Sequence, residues 1–421
     1  MAGKVFGASA LAALIMVATG CGGSGTGAGT TAASCSNVAD SQGVAKDHVL
    51  VGVVGDFTGP TVGSQGPFLH GIEASLKFAN DHGGICGKSI QFTEVDDKYT
   101  SNLGQAAYKQ FTEQSPAYFM FGNNNSSVQD ALQEQVRSGD LPIMAQSTTQ
   151  NSINPFNKNF YQVIETYPLQ AQLDLAYYNQ KVANGQKAKA VCFTLAVASG
   201  AEYCNAVEKY VTADGGTLLK KFVIPSNAVD ATPEAIQIQG LNPNVVFMHF
   251  ASNGAIVALK SFSKIGLTKL PMVGTFGVTN ESVFQTAPKD TGQNLTGGHA
   301  FTPAYIATPG STEMLAAAKK YGVDDTEAQN INFVVGWVAG KVFVAGARAG
   351  AKSTGKVDHN SLRSGLDSLS SFDTGGQSVN FQYSPTDHQG VKTMRPYQYD
   401  YAKSQLSPVG NYTDWAKFLK P

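Results

Sequence analysis

Two short loops carry the polar residues best placed to hold a small molecule. The first, Gly122-Asn123-Asn124-Asn125-Ser126-Ser127, follows an apolar run at 118–121 and opens a helical pattern at 128–136. The hydroxyls of Ser126 and Ser127, with the free N–H groups of a helix start, can hold a carboxylate or another polar head. Ser126 can equally do no more than cap its helix. The second loop, Gln146-Ser147-Thr148-Thr149, follows the apolar run 142–145 and offers three hydroxyls, or is a plain polar turn. Asp96 and Asp97 are adjacent acids, but strand neighbours point to opposite faces, so they do not form a working acid–base pair. The chain has no Gly-x-Ser-x-Gly elbow, no phosphate-binding loop and no His-Glu-x-x-His. No catalytic residue, cofactor or metal is therefore expected, and the reading is a binding protein rather than an enzyme.

The elements that must position these loops alternate. Apolar runs at 49–57, 90–95, 118–121 and 142–145 are separated by helical patterns at 68–80, 103–111 and 128–136. After Pro168 the rhythm restarts, with helices at 170–182, 202–211, 233–239 and 255–265 and strands at 188–194, 218–224, 245–250 and 271–274. This predicts an α/β chain with two doubly wound parallel-sheet units of similar size. Residues 331–349 form the most apolar helix candidate, but Lys341 and Arg348 interrupt it, which argues for a buried core helix over a membrane span. A helix at 361–369 and strands at 378–382 and 395–401 complete the pattern.

Composition narrows the classes. The chain has 421 residues, enough for two or three domains, with 42% hydrophobic and only 14% charged. That charge fraction argues against a disordered chain. Thirty basic residues against 31 acidic leave no electrostatic footprint for nucleic acid.

The N-terminus reads as an export signal. Lys4 precedes an apolar run from Val5 to Val17 that is too short to span a bilayer. Ala18-Thr19-Gly20-Cys21 resembles a bacterial lipobox, which implies acylation of Cys21; an ordinary signal peptide is the alternative. Residues 22–34 are almost all Gly, Ser, Thr and Ala, a coil-like tether. The expectation is a signal at 1–21, a tether at 22–44 and a folded part held at an outer membrane surface by its lipid. Four further cysteines suit an oxidising compartment: a Cys192–Cys204 bridge would span one strand–helix unit, and a Cys35–Cys86 bridge would pin the N-terminal arm.

Several segments, in order, look like the type I periplasmic solute-binding proteins of the leucine/isoleucine/valine-binding family. Val51-Gly52-Val53-Val54-Gly55-Asp56-Phe57-Thr58-Gly59-Pro60 resembles the family's first strand and turn. Asn80-Asp81-His82-Gly83-Gly84-Ile85-Cys86-Gly87 resembles the exit of its first helix, and Asn242-Pro243-Asn244-Val245-Val246-Phe247 a strand entry. The resemblance implies two lobes joined by a three-segment hinge, near 164–167, 298–303 and 372–378. Lobe one would be 45–165 plus 303–372, and lobe two 166–302 plus 373–421. It implies a monomer that clamps a small-molecule ligand and presents it to the permease of an ABC importer. A receptor domain signalling through the same closure is the alternative.

The resemblance also implies site residues. Ser126, Ser147 and Thr149 fall on its head-group positions, with Ser127 and Thr148 beside them. Its aromatic contact in the first loop falls at Ser64, next to Gln65; a Tyr-Gly pair becomes Ser199-Gly200; a further aromatic becomes Ala251 or Ser252. The acid that pairs with an amino acid's ammonium falls at Phe276, with Glu281 the nearest acid downstream. His249 and Tyr305 sit near the expected cleft edge, where a structural role is the simpler assignment for each. A ring cannot neutralise a buried ammonium, and an unpaired buried charge costs several kcal/mol. The expected ligand is therefore a carboxylate or neutral polar compound with an apolar body, not a free branched-chain amino acid, in a roomier and more apolar second wall.

Overall fold

The first sheet begins with β1 (His48–Gly55), whose inward valines are fully buried, and adds β2 (Ser89–Asp96), β3 (Phe119–Phe121), β4 (Ile143–Ala145) and β5 (Phe160–Gln162). All pair in parallel, in the order β2-β1-β3-β4-β5. The second sheet has seven strands: β6 (Lys189–Leu195), β7 (Thr217–Ile224), β8 (Val245–His249), β9 (Met272–Gly274), β10 (Leu295–His299), β11 (Arg395–Asp400) and β12 (Gln405–Pro408). Their order is β12-β11-β10-β9-β8-β6-β7, all in one direction except β11, which is antiparallel to both its neighbours. Both sheets are covered by helices on two faces, which is why β3 and β4 are unbroken apolar runs and β8 is apolar up to its last residue, His249. This computed structural model describes residues 41–412 except 123, 147 and 148. The signal sequence, Cys21, the Cys35 half of the Cys35–Cys86 pairing, Ser147, Thr148 and nearly all of the tether lie outside the described residues.

Helices connect the strands. Those of the first sheet are α1 (Val62–Asp81), α2 (Ser101–Lys109), α3 (Ser126–Ser138) and α4 (Gln150–Ile153). The second sheet carries α5 (Tyr167–Tyr177), α6 (Ala198–Ala213), α7 (Thr232–Leu241), α8 (Ser252–Lys264), α9 (Glu281–Thr286) and α10 (Lys289–Gly292). Then follow α11 (Pro309–Lys320), α12 (Asp325–Ala328), α13 (Ile331–Thr354) and α14 (His359–Asp367). The helix α13 returns to the first sheet and packs along α1 so closely that a Cβ on Gly336 would lie 1.9 Å from Phe68 O. It is long and apolar enough to cross a membrane, but 78% of its most apolar window is buried inside the protein, so it is a core helix.

The chain thus passes between the two sheets three times: after β5, after β10, and between α14 and β11. Each sheet with its helices makes one lobe. Residues 378–382, expected as a strand, form only isolated bridges, Phe301 with Ser378 and Phe372 with Phe381. They serve as a crossing strap between elements and join neither sheet. The Cys192–Cys204 disulfide ties β6 to α6, and both cysteines are buried.

Candidate ligand-binding site

In a doubly wound sheet the crevice lies off the carboxyl ends of the strands, where the strand order reverses. Here that point is beside β1 and β3 in the first lobe and beside β6 and β8 in the second, and the two face each other. The turn after β1 folds onto two strand-end acids. Asp56 accepts from the N–H groups of Gly59 and Thr61 and from Thr61 Oγ1; Asp96 accepts from Phe57 N (3.0 Å) and Thr58 Oγ1 (2.5 Å). Asp97 accepts from Tyr99 N at 2.8 Å, and burial pushes its carboxyl up to about 6. These acids are structural. They let α1 start at Val62, six residues earlier than its apolar pattern, and so bring Ser64 and Gln65 to the cleft.

A chain of amides then builds the first wall. Gln65 Oε1 accepts from Asp56 N (3.2 Å) and from Asn124 Nδ2 (3.4 Å). Asn124 Oδ1 accepts from Gln146 N at 2.9 Å, and Gln146 Nε2 donates to Asn332 Oδ1 at 3.1 Å. Tyr99 enters from the β2 loop with φ of 56°, a left-handed conformation that a tyrosine seldom adopts. Asn125 Nδ2 holds the Tyr99 carbonyl at 2.9 Å.

The second wall is apolar with one polar node. Leu195, Val197, Phe250, Ala251, Phe276 and Gly277 face the cleft together with Tyr167, Ser199 and His249. His249 has both ring nitrogens engaged, Nε2 with Ser199 Oγ at 2.9 Å and Nδ1 with Thr275 Oγ1 at 3.1 Å. Burial pulls its pKa down to about 3, so it is neutral. Even counting its open mouth the cavity is about 490 Å³, too small for a polymer. Among the described residues that line it, none is Asp, Glu, Lys or Arg.

Of the residues singled out in the sequence, Ser64, Gln65, Ser199, Ala251, Phe276 and His249 meet at this cavity. Ser126 and Ser127 do not line it; their hydroxyls span the lobes, Ser126 Oγ accepting from Ser199 N at 2.9 Å and Ser127 Oγ from Ala198 N at 3.3 Å. Thr149 turns away and donates to Asp130 Oδ1 at 2.9 Å. Tyr305 is elsewhere, its hydroxyl donating to Glu281 Oε1 and accepting from Leu406 N. Glu281 itself does not reach the cavity. Asn124 and Gln146 lie within the two loops the sequence points to, but beside the hydroxyls taken as contacts; Tyr99 and Tyr167 lie outside those loops, and their only signal was position after a strand.

The model of a family described as periplasmic binding protein matches residues 48–405. The chain belongs to that family. This periplasmic binding protein is therefore a solute-binding protein that works outside the cytoplasm. Its fold is similar to a branched-chain amino acid ABC transporter protein from Thermus thermophilus with bound valine (TM-score 0.79, 18% identity, covering 88% of this chain and 98% of that one). It is similar to a fatty acid ABC transporter substrate-binding protein from Thermomonospora curvata (0.79, 15%, 90% and 96%). A solute-binding protein from R. palustris in complex with benzoate also matches (0.74, 18%, 86% and 96%). No curated protein matches it in sequence.

Proposed function

We propose that the chain is the extracytoplasmic solute-binding lipoprotein of an ABC importer, anchored through Cys21. It captures a small organic ligand between two closing lobes and presents it, as a monomer, to the permease. The ligand carries a carboxylate or neutral polar head on an apolar body and is not a free branched-chain amino acid. One observation carries this reading: the cleft offers amides and hydroxyls on one wall, rings and aliphatic side chains on the other, and no lining acid for an ammonium. Phe276 stands where the resemblance calls for that acid, and Glu281 is occupied elsewhere. Solved proteins of this fold include ones with valine and with benzoate, so the fold itself accommodates both kinds of ligand.

Mass spectrometry of the small molecules that co-purify with the folded chain tests the proposal. A stoichiometric neutral or carboxylate compound with an apolar body is expected. A stoichiometric branched-chain amino acid, or chemical turnover of the bound compound, would overturn it.

A further inference from the structure

Two backbone groups of the first lobe lack a helical partner and find one in the second. Ile331 is the first residue of α13, so its N–H has no acceptor inside the helix. Glu281 Oε2, from α9 of the second lobe, accepts it at 2.9 Å. Gly63 O lies four residues before Pro67, which has no N–H to offer it. Ser282 Oγ, again from α9, donates to Gly63 O at 3.4 Å and accepts from Asn330 Nδ2 at 3.0 Å. Glu281 is 5% exposed, and Tyr305 and Leu406 fix its other oxygen to the second lobe through a relay of 2.9 and 2.6 Å. None of these side chains lines the ligand cavity.

We propose that the Glu281–Ser282 pair is a closure latch: it reads the closed arrangement through backbone groups that α1 and α13 cannot satisfy alone, and so sets the closed-to-open balance without touching ligand. The carboxylate also faces the positive end of a 24-residue helix, which favours a negative charge there. Opening the lobes gives up the charge-assisted bond and the serine bridge together. The inference rests on the two lobes opening and closing as the proposed function requires, and is independent of which solute they hold.

The test is small-angle X-ray scattering of the full-length protein with no added ligand, with circular dichroism as the check on folding. The wild type is expected to be compact. Glu281→Ala should shift the closed-to-open ratio about 10- to 100-fold towards open, the scale of a charge-assisted hydrogen bond, and enlarge the radius of gyration. Glu281→Gln keeps an acceptor for Ile331 N and should recover most of the compactness, which a purely structural loss would not. An unchanged radius in Glu281→Ala overturns the latch. If Glu281→Ala does not fold, Ser282→Ala decides: a larger radius supports the latch, an unchanged one overturns it. Solute identification is a separate measurement, so failure of the ligand assignment leaves these readouts intact, and failure of the latch leaves that assignment intact.

Discussion

Ser126 Oγ, in the first lobe, accepts a hydrogen bond from Ser199 N, in the second, at 2.9 Å. Val197, at the N-cap position of α6, has no side-chain oxygen and cannot cap its own helix. Ser126 and Ser127 supply that cap from across the cleft. The same logic recurs at Gln150 N, held by Glu202 Oε1 at 2.8 Å, and at Pro60 O, held by Asn253 Nδ2 at 2.6 Å. Contacts between the lobes therefore complete helix ends and turns that each lobe leaves unfinished.

This gives a first prediction. Ser126→Ala removes a cap worth about 0.5–2 kcal/mol, and only in the closed state. In the compact solute-free protein this loss should lower the thermal midpoint measured by scanning calorimetry and shift the closed-to-open ratio roughly 2- to 30-fold towards open.

A second prediction concerns charge in the cleft. Titrating the purified protein with leucine should release no heat of micromolar binding. A leucine ammonium would be buried against Phe276 and a neutral His249 with no carboxylate to pair it. That costs several kcal/mol, enough to cancel the gain from the apolar wall.

The parts of this site that were legible in the sequence were those announced by spacing. The apolar runs marked β1, β3, β4 and β8, and the loops after them followed. The first turn of α1 was hidden because Pro67 reads as a helix boundary although it sits inside the helix. The strand β10 went unmarked because Gly297-Gly298 interrupts its apolar pattern. A Cβ on Gly297 would lie 1.7 Å from Thr279 Oγ1, so packing excludes the β-branched residues that normally announce a strand. The strand β5, Phe160-Tyr161-Gln162, ends in a glutamine and lacks the wholly apolar run that marked β3 and β4. Tyr99 depends on an unusual backbone conformation that no local pattern encodes.

A third prediction follows from an acid beside the first crossing. Glu165 is 2% exposed, its Oε1 has no hydrogen-bond partner among the described residues, and burial pushes its pKa up to about 8. Between its unfolded value of 4.5 and about 8 the folded protein holds a proton that the unfolded chain has released. Stability is thus full below about 4.5 and is lost as pH rises through 8, by up to about 1.4 kcal/mol per pH unit. His249 and His299, pulled down to about 3 and 4, act in the opposite sense: their contribution is lost as pH falls below 6.5. Urea unfolding of Glu165→Gln should show greater stability than wild type at pH 8 and a flatter profile from pH 5 upwards. Parallel profiles would refute the assignment.

A fourth prediction separates two glycines that look alike in the sequence. Gly336 and Gly240 both lie within helices. At Gly336 an added methyl group would meet the backbone of Phe68 at 1.9 Å, and a backbone cannot rotate out of the way as a side chain can. The helices α1 and α13 would have to separate, which undoes burial along the centre of the first lobe. Overpacking of this kind costs about 1–3 kcal/mol or more, and the rigid obstacle places Gly336→Ala at the upper end. At Gly240 nothing lies within 4 Å of the added Cβ. There the substitution only restricts the unfolded chain and raises helix propensity, so Gly240→Ala should stabilise by about 0.4–1 kcal/mol. Chemical denaturation of the two variants side by side should therefore move the midpoint in opposite directions. Equal shifts would mean that α1 and α13 do not approach as closely as the Gly336 contact requires.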